Sequence, residues 1–446
     1  MSRKKRLLRI AAPMMLSQIM IFSTPIIDTM FLSVISLKAT ASVGLVTPLV
    51  FLLSQVVWIV SFSGSSIANQ VLGKTRNQSE LYSAFLVVGF VLFITALALL
   101  AISKVGLNIW STIFPSNNGL QYLAVSYLHV YAYCLPSIAI IYFGQSVCNS
   151  SGREKLVPLI TGASFLVNLG GNCVSVYFFG KLEEKGLHYI ALSSVFAAAV
   201  SAVMYLGILS KVYVLGKNRK TSISHITGIL KRIVRIAAPS VLEPMSFELS
   251  LFSQNYFLSY FSSSALAAKV LIYNSFMLVL ITTIGLSTAL DIELSRYMGS
   301  DKKDQMRLTL NAATKLTVSF ALAMALSITL IWKALEYSNL IENTHLFVLA
   351  STAVFLAFIS EPFRATNLIF GNTLKISGFA IFLSISNILY TWLVIVPIAY
   401  LLIVQLELGL VGAFLAIMID ELGRTIISYF KLCSLSWFSP RFLDSQ

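Results

Sequence analysis

The sequence predicts an all-α integral membrane protein with twelve transmembrane helices in two pseudo-symmetric six-helix lobes. Three observations carry that expectation. Of the 446 residues, 57% are hydrophobic and 11% charged. A soluble domain averages roughly 25% charged residues, so too little polar material exists here to cover a water-facing surface. The apolar runs exceed the roughly 18 residues that a spanning helix needs, and they lack the alternation of a β-barrel strand. The chain also repeats itself: RLLRIAAP at 6–13 returns as RIVRIAAP at 232–239, an offset of 226 positions. The same offset pairs Phe31-Leu32-Ser33 with Phe257-Leu258-Ser259, Gly73 with Gly299, Pro136 with Pro362, and Ser151-Gly152 with Ser377-Gly378. A repeat of half an apolar chain marks two membrane halves, an architecture that secondary transporters use to place a binding site between repeats.

Taken in order, the expected spans are 7–32, 43–70, 82–105, 119–149, 156–179 and 187–215 in the first half. In the second they are 229–261, 264–298, 309–333, 343–372, 376–404 and 409–435. The run Ser262-Ser263-Ser264 divides the seventh from the eighth. Pro115-Ser116-Asn117-Asn118-Gly119 cannot continue a helix, and Ser150-Ser151-Gly152 supplies a C-cap and turn. The long polar stretch from Lys217 to Lys231 reads as a cytoplasmic linker. It divides an N-lobe, residues 1–216, from a C-lobe, residues 232–446, with the linker at 217–231. Six spans per half put both amino ends on one side, so the repeats are parallel about an axis along the membrane normal.

The net charge of +14 does not indicate nucleic acid, because its distribution already has an explanation. Lys and Arg collect in every second connection: Arg3 to Arg6, Lys74 and Arg76, Arg153 and Lys155, Lys211 to Arg235, Lys302 to Arg307, and Lys375. In the alternate connections, Lys38, Lys104, Lys181, Lys185 and Lys333 are offset by Glu183, Glu184, Glu336, Glu342 and Glu407. This positive-inside bias places both termini in the cytoplasm. The apolar stretch from Leu7 is too long for a cleavable signal and contains Asp28, so it reads as the first span. Cys134, Cys148, Cys173 and Cys433 lie in spans without metal-ligand spacing and read as small packing residues.

Charges inside spans are costly, on the order of 2.5–3.5 kcal/mol on insertion scales, and mark pathways or partners. Asp28, in STPIIDTMFLS, is the clearest case, either a helix-end residue near the outer interface or a carboxylate in a wet cavity that binds a cation or proton. Pro25, three residues earlier, removes a helical hydrogen bond and favours a bend. Asn168 and Asn172 share one face of the fifth span. Gly170 and Gly171 between them let another backbone approach. Such asparagines serve interhelical hydrogen bonding or, through their amide oxygens, a hard cation.

In the second half the position equivalent to Asp28 is Gln254, so the acid is not duplicated. That half carries Glu243, Glu248 and Glu361 instead. Glu248 sits among Phe247, Leu249, Leu251 and Phe252, where a carboxyl is poised to exchange protons. Glu243, near the cytoplasmic start, is expected to pair with Arg232 or Arg235, and Lys269 and Arg364 are further candidate partners of these acids. Asp291, Glu293 and Arg296 read as a snorkelling cluster at a helix end, and Asp420 with Arg424 as a local i,i+4 pair. His129, His188, His225 and His345 lack ligand spacing, and no phosphate loop, nucleophile elbow or HExxH occurs.

In their order along the chain, LRIAAPMMLSQ, IIDTMFLS, ANQVLGK, RIAAPSVLEPMSFELSLF, ALAAKVLIYN, SRYMG and GLVGAFLA resemble the multidrug and toxic compound extrusion (MATE) family over almost the whole length. The resemblance implies two six-helix lobes forming a V around a central cavity and export of organic cations driven by sodium or proton entry. It places Asp28 as the first-helix acid of an N-lobe cation site, with Asn168 and Asn172 as its fifth-helix partners. Asparagine at the second of those positions, and Glu248 in the seventh helix, resemble the NorM-type branch. The tenth-helix aspartate of the pattern falls on Phe363 and the nearest acid is Glu361, so the resemblance supports the N-lobe site.

The expectation is therefore an antiporter that exports amphipathic, cationic small molecules in exchange for H+ or Na+. Its coupling residues would be Asp28, Asn168, Asn172, Glu248 and Glu361, with Pro25 as bending point and Gln254, Lys269 and Arg364 as cavity residues. It would act as a monomer in a bacterial inner membrane, with no cofactor, no structural metal and no nucleic-acid partner. Two alternatives stand beside it. One is a flippase for a lipid-linked precursor, whose anionic head groups Lys269, Arg364 and Lys375 would bind. The other is an integral-membrane enzyme.

Overall fold

A computed structural model describes residues 3–74, 78–105, 120–180, 182–216, 223–259, 263–337 and 344–435. Among them the chain is helical throughout, with no strand. The first half contains α1 (Arg3–Ile35), α2 (Leu37–Lys74), α3 (Gln78–Val105), α4 (Leu120–Tyr131), α5 (Cys134–Ser150), α6 (Leu156–Phe179) and α7 (Glu183–Gly216). The second contains α8 (Ile223–Ser259), α9 (Ser263–Gly299), α10 (Lys303–Tyr337), α11 (Thr344–Leu374), α12 (Ala380–Tyr390), α13 (Val396–Tyr400) and α14 (Gly409–Cys433).

Eight stretches are long and apolar enough to cross a membrane, nine when the bent pair α4–α5 counts as one span. One of them, Ala350–Gln405, has 56 residues and holds two spans, because the chain turns at Gly378 (φ 90°). The charge-bearing helices α8 and α14, 37 and 25 residues long, bring the total to the twelve expected. The turn at 106–119, with its Pro-Ser-Asn-Asn-Gly run, lies outside the described residues, as do 217–222 of the expected linker. The rest of that polar stretch, from Ile223, is already part of α8.

Local chemistry sets the breaks. Pro136 has no N–H to give the Ala132 carbonyl, which accepts instead from Leu135 N at 3.2 Å, and there α4 and α5 bend by 43°. After α5, Gly152 takes φ 72°, and Arg153 N donates to Cys148 O at 2.8 Å, the six-to-one bond of a Schellman cap. Gly378, its partner in the 226-residue repeat, is also left-handed (φ 90°), so the repeat extends to backbone conformation. Two π-helical turns, Thr391–Ile395 and Leu401–Gln405, flank α13. Pro397 cannot donate to the Leu393 carbonyl inside the first of them, which is a cause for the widened turn.

The chain divides into two compact units, Leu16–Val234 and Met1–Met15 with Arg235–Gln446. Within the first, α2 packs on α3, α4 and α5, and α5 also packs on α3 and α7. The repeat-equivalent pairs recur in the second: α9 on α10 and α11, α10 on α11, and α11 on α14. One core of the first unit gathers Leu32, Tyr127, Leu128, Leu187 and Ile190. The main core of the second is rich in alanine, including Ala321, Ala325, Ala353, Ala413 and Ala416 around Phe276 and Phe414. Small residues let helices approach closely where lipid gives no hydrophobic push between them. Large apolar side chains point outward instead, as at Tyr177 (83% exposed), Val34 (71%) and Phe252 (69%), the surface that a lipid solvent requires.

Gly412 marks a close approach of backbone to backbone in the second unit. A Cβ there would stand 2.7 Å from the Leu402 carbonyl oxygen and 2.8 Å from its carbon, backbone atoms that cannot swing aside. Gly412→Ala is therefore expected to cost about 1–3 kcal/mol by overpacking. A lowered thermal midpoint in detergent is the readout; an unchanged midpoint would show that α14 can shift freely.

Candidate functional site

The first unit encloses a carboxylate in neutral polar groups from three helices. Asp28 on α1 is 4% exposed. Asn172 on α6 donates from Nδ2 to Asp28 Oδ1 at 2.5 Å, and Ser194 on α7 donates from Oγ to Asp28 Oδ2 at 2.8 Å. Behind them, Asn168 Nδ2 donates to Ser194 Oγ at 3.0 Å and Asn172 Nδ2 reaches Asn168 Oδ1 at 3.3 Å. Ser193 Oγ donates to Asn172 Oδ1 and to the Ile190 carbonyl, the latter at 2.8 Å. Tyr127, Tyr131 and Cys134 lie within electrostatic reach of the acid. Among the described residues no Lys or Arg forms an ion pair with Asp28.

Burying an ionised carboxylate without a counter-charge is expensive, and hydrogen bonds from neutral donors offset only part of the cost. The arrangement therefore favours a visiting positive charge. Around Asp28 the side chains of Asn168, Asn172, Ser193 and Ser194 add oxygen atoms, the ligand type that hard cations take. A monovalent visitor needs no further acid beside Asp28. Among the described residues no group of three or more His, Cys, Asp or Glu is placed to hold a metal ion.

Beside this acid the regular hydrogen bonding of helix α1 is locally altered. Pro25 leaves the Ile21 carbonyl without its helical donor. The hydroxyls of Ser23 and Thr24 bond the carbonyls of Ile19 and Met20 at 2.7 and 3.0 Å, and Thr29 bonds Pro25 O at 2.8 Å. Hydroxyls that bond back four residues loosen and bend helices.

Of the two glycines between the asparagines, only Gly171 serves close approach. A Cβ on Gly171 would stand 2.6 Å from Ser193 Cβ, whereas one on Gly170 meets nothing within 4 Å, correcting the expectation for Gly170. Because Ser193 and Ser194 share a turn of α7, widening that contact would draw Ser194 off Asp28. Gly171→Ala is expected to destabilise by about 1–3 kcal/mol and to impair transport. Gly170→Ala should be neutral or stabilising by up to about 1 kcal/mol, since alanine is the better helix former. Equal transport by the two variants in vesicles would contradict this packing account.

The second unit handles its charges differently. Arg364 on α11 contacts Glu361 Oε1 through Nη1 at 3.3 Å and Glu421 Oε1 through Nε at 3.8 Å. Its Nη2 also donates to the Tyr273 hydroxyl at 3.2 Å. Asn367 Nδ2 donates to the other oxygen of Glu421 at 2.9 Å. Glu248 is half-buried on α8 within the field of Arg364. Arg424 bonds Asp420 at 2.7 Å and Thr391 at 2.9 Å and lies 4.9 Å over the Phe247 ring. The local Asp420–Arg424 pair thus forms as expected.

Three other expectations change. Glu243 pairs with Lys375 at 2.7 Å and accepts from Asn387 at 2.7 Å, not from Arg232 or Arg235; Arg232 donates to Gln70. Lys269, 3% exposed, finds an amide rather than an acid, Asn255 Oδ1 at 2.7 Å. Asp291 does not snorkel: it is 7% exposed and accepts from Asn372 at 3.2 Å. Gln254, the repeat partner of Asp28, is buried, and among the described residues its Oε1 has no hydrogen-bond partner. Sequence reasoning missed Ser193 and Ser194. Their signal was weak, two adjacent serines in an apolar span at the positions equivalent to Ile419 and Asp420.

A lipid-facing helical bundle built twice, with a carboxylate-centred polar site inside it, is the organisation of a secondary transporter. The chain belongs to the MatE family, whose model matches residues 13–174 and 239–401. Members of that family are transporters, not enzymes. An uncharacterized transporter of Bacillus subtilis, YisQ, is 24% identical over 410 residues, covering 92% of this chain and 90% of its own. A probable multidrug resistance protein NorM of Thermotoga maritima is 23% identical over 445 residues, with 97% and 93% covered. Among solved structures, a MOP superfamily transporter from Pyrococcus furiosus, described as having a binding pocket of reverse polarity, superposes with a TM-score of 0.81. It is 18% identical, with 97% of this chain and 95% of the other covered. The MATE transporter ClbM in complex with Rb+ superposes with a TM-score of 0.80 at 18% identity, covering 99% and 96%.

Proposed function

We propose that this transporter is an antiporter that exports amphipathic, cationic small molecules and takes in H+ or Na+ at Asp28. One observation carries the reading: a carboxylate 4% exposed, held by Asn172 and Ser194 and by no basic side chain among the described residues. A proton or sodium ion neutralises that acid, relieves the buried charge and lets α1 bend at Pro25, which changes the affinity for the exported molecule. Coupling requires such differential affinity between states. Each inward charge supplies about 2.3 kcal/mol per 100 mV, enough for a roughly 50-fold gradient of a neutral drug.

Alkali-ion binding by ClbM, a protein of similar fold, supports a cation at the oxygen-rich Asp28 site. The name of the Thermotoga relative supports drugs as exported molecules. Glu248 and Glu361 belong to the reading as acids of the second half. The protein would work as a monomer in the bacterial inner membrane, with both termini cytoplasmic. The flippase alternative loses ground, because Lys375 and Arg364, two of the cations meant for an anionic head group, are engaged by carboxylates. Efflux of a fluorescent organic cation from proteoliposomes, under sodium and pH gradients imposed separately, tests the proposal. Efflux driven by one gradient is expected; dye movement indifferent to both would overturn it.

A further inference from the structure

The two halves meet the problem of buried acid in opposite ways. In the first, Asp28 has neutral donors alone. In the second, Glu361 and Glu421 close on a guanidinium that never loses its charge, with Glu248 in its field. The repeat has no counterpart for this cluster: Glu248, Glu361, Arg364 and Glu421 correspond to Phe22, Leu135, Ile138 and Val195.

From this geometry we infer that Arg364 is a tethered cation, occupying the acid cluster of the second half in place of a transported ion. Three features support the assignment. The guanidinium lies among the carboxyl groups instead of snorkelling outward, with its side chain 11% exposed against 3% for Glu361 and 6% for Glu421. Its orientation is locked by the Tyr273 hydroxyl at 3.2 Å and by the Tyr273 ring, 5.3 Å from the guanidinium carbon. Arg424, a second base within the field of Glu421, is committed to Asp420 and Thr391. Among the described residues, Tyr273, Asp420 and Arg424 are further charged or titratable groups within electrostatic reach of the cluster. A resident charge that cannot dissociate leaves this half unable to exchange an ion at the same place, so ion entry falls to Asp28, and Glu248 and Glu361 serve as partners of Arg364 rather than as ion-entry acids. That last consequence rests on the antiport reading; the occupancy by Arg364 does not.

Cation equivalents per chain are countable in full-length protein in nanodiscs, as bound radiolabelled sodium plus protons taken up in a difference titration across the neutral range. In an Asp28→Asn background, adding Arg364→Gln should raise the count by about one, because the acids left behind recruit a replacement charge. Adding Arg364→Lys should raise it by none. Glu361→Gln/Arg364→Gln against Glu361→Gln alone gives the same difference with less buried charge, should the first variant fold poorly. No gain in either comparison overturns the inference. Persistence of the wild-type ion in Asp28→Asn alone would sink the antiport site while leaving the Arg364 difference to be read.

Discussion

Asp28→Asn should abolish ion-driven accumulation while leaving the fold intact. The amide keeps the size of the carboxyl and can still accept from Asn172 or Ser194, which donate to the wild-type acid at 2.5 and 2.8 Å. It removes the one charge that a proton or sodium ion would neutralise, and with it the differential affinity that links ion entry to drug release. Coupling free energies in such systems are typically worth roughly 5- to 150-fold, so a loss of about that size in the accumulated drug ratio is expected. The check is the vesicle assay with an imposed gradient, alongside a thermal midpoint that should move little. Pumping at the wild-type level by the variant would remove Asp28 from the mechanism.

The largest stability effect is expected at Arg424. Its Nε–Asp420 contact of 2.7 Å is buried, with side chains 7% and 5% exposed, and Thr391 and the Phe247 ring complete the setting. Arg424→Met strands the Asp420 charge in a low-dielectric interior. Breaking one side of a buried pair costs about 3–5 kcal/mol, whereas replacing both partners by apolar groups is often neutral. Arg424→Met should therefore lower the thermal midpoint sharply in detergent, and Asp420→Leu/Arg424→Met should recover most of it. A double variant as unstable as the single one would mean that Arg424 acts through Thr391 and Phe247 rather than through its ion pair.

Much of the site was legible from spacing alone. Asp28 stood out as an acid in an apolar run, and four-residue spacing put Asn168 and Asn172 on one face of α6, where the structure joins them at 3.3 Å. The serines that complete the site were not legible, because an isolated hydroxyl in a span usually bonds its own helix, as Ser193 does to Ile190 O at 2.8 Å. The pairings of the second unit were legible only where they are local. Asp420 with Arg424, four residues apart, follows from helix geometry; Glu243 with Lys375, 132 residues apart, does not. Lys269 met an amide for the same reason, since sequence shows that a buried charge needs a partner but not which helix supplies it.

By itself, then, the amino-acid order determined an all-helical membrane chain built twice, its spans and the buried acid on which the proposed site rests. Those properties follow from local quantities, namely the length of apolar runs, the offset of a repeat and the cost of a charge in lipid. Only the tertiary structure decided that Asp28 is held by neutral donors while Arg364 sits among acids. Interhelical approach set by single glycines such as Gly171 and Gly412 brings distant side chains to hydrogen-bonding range, and no run of neighbouring residues encodes that distance.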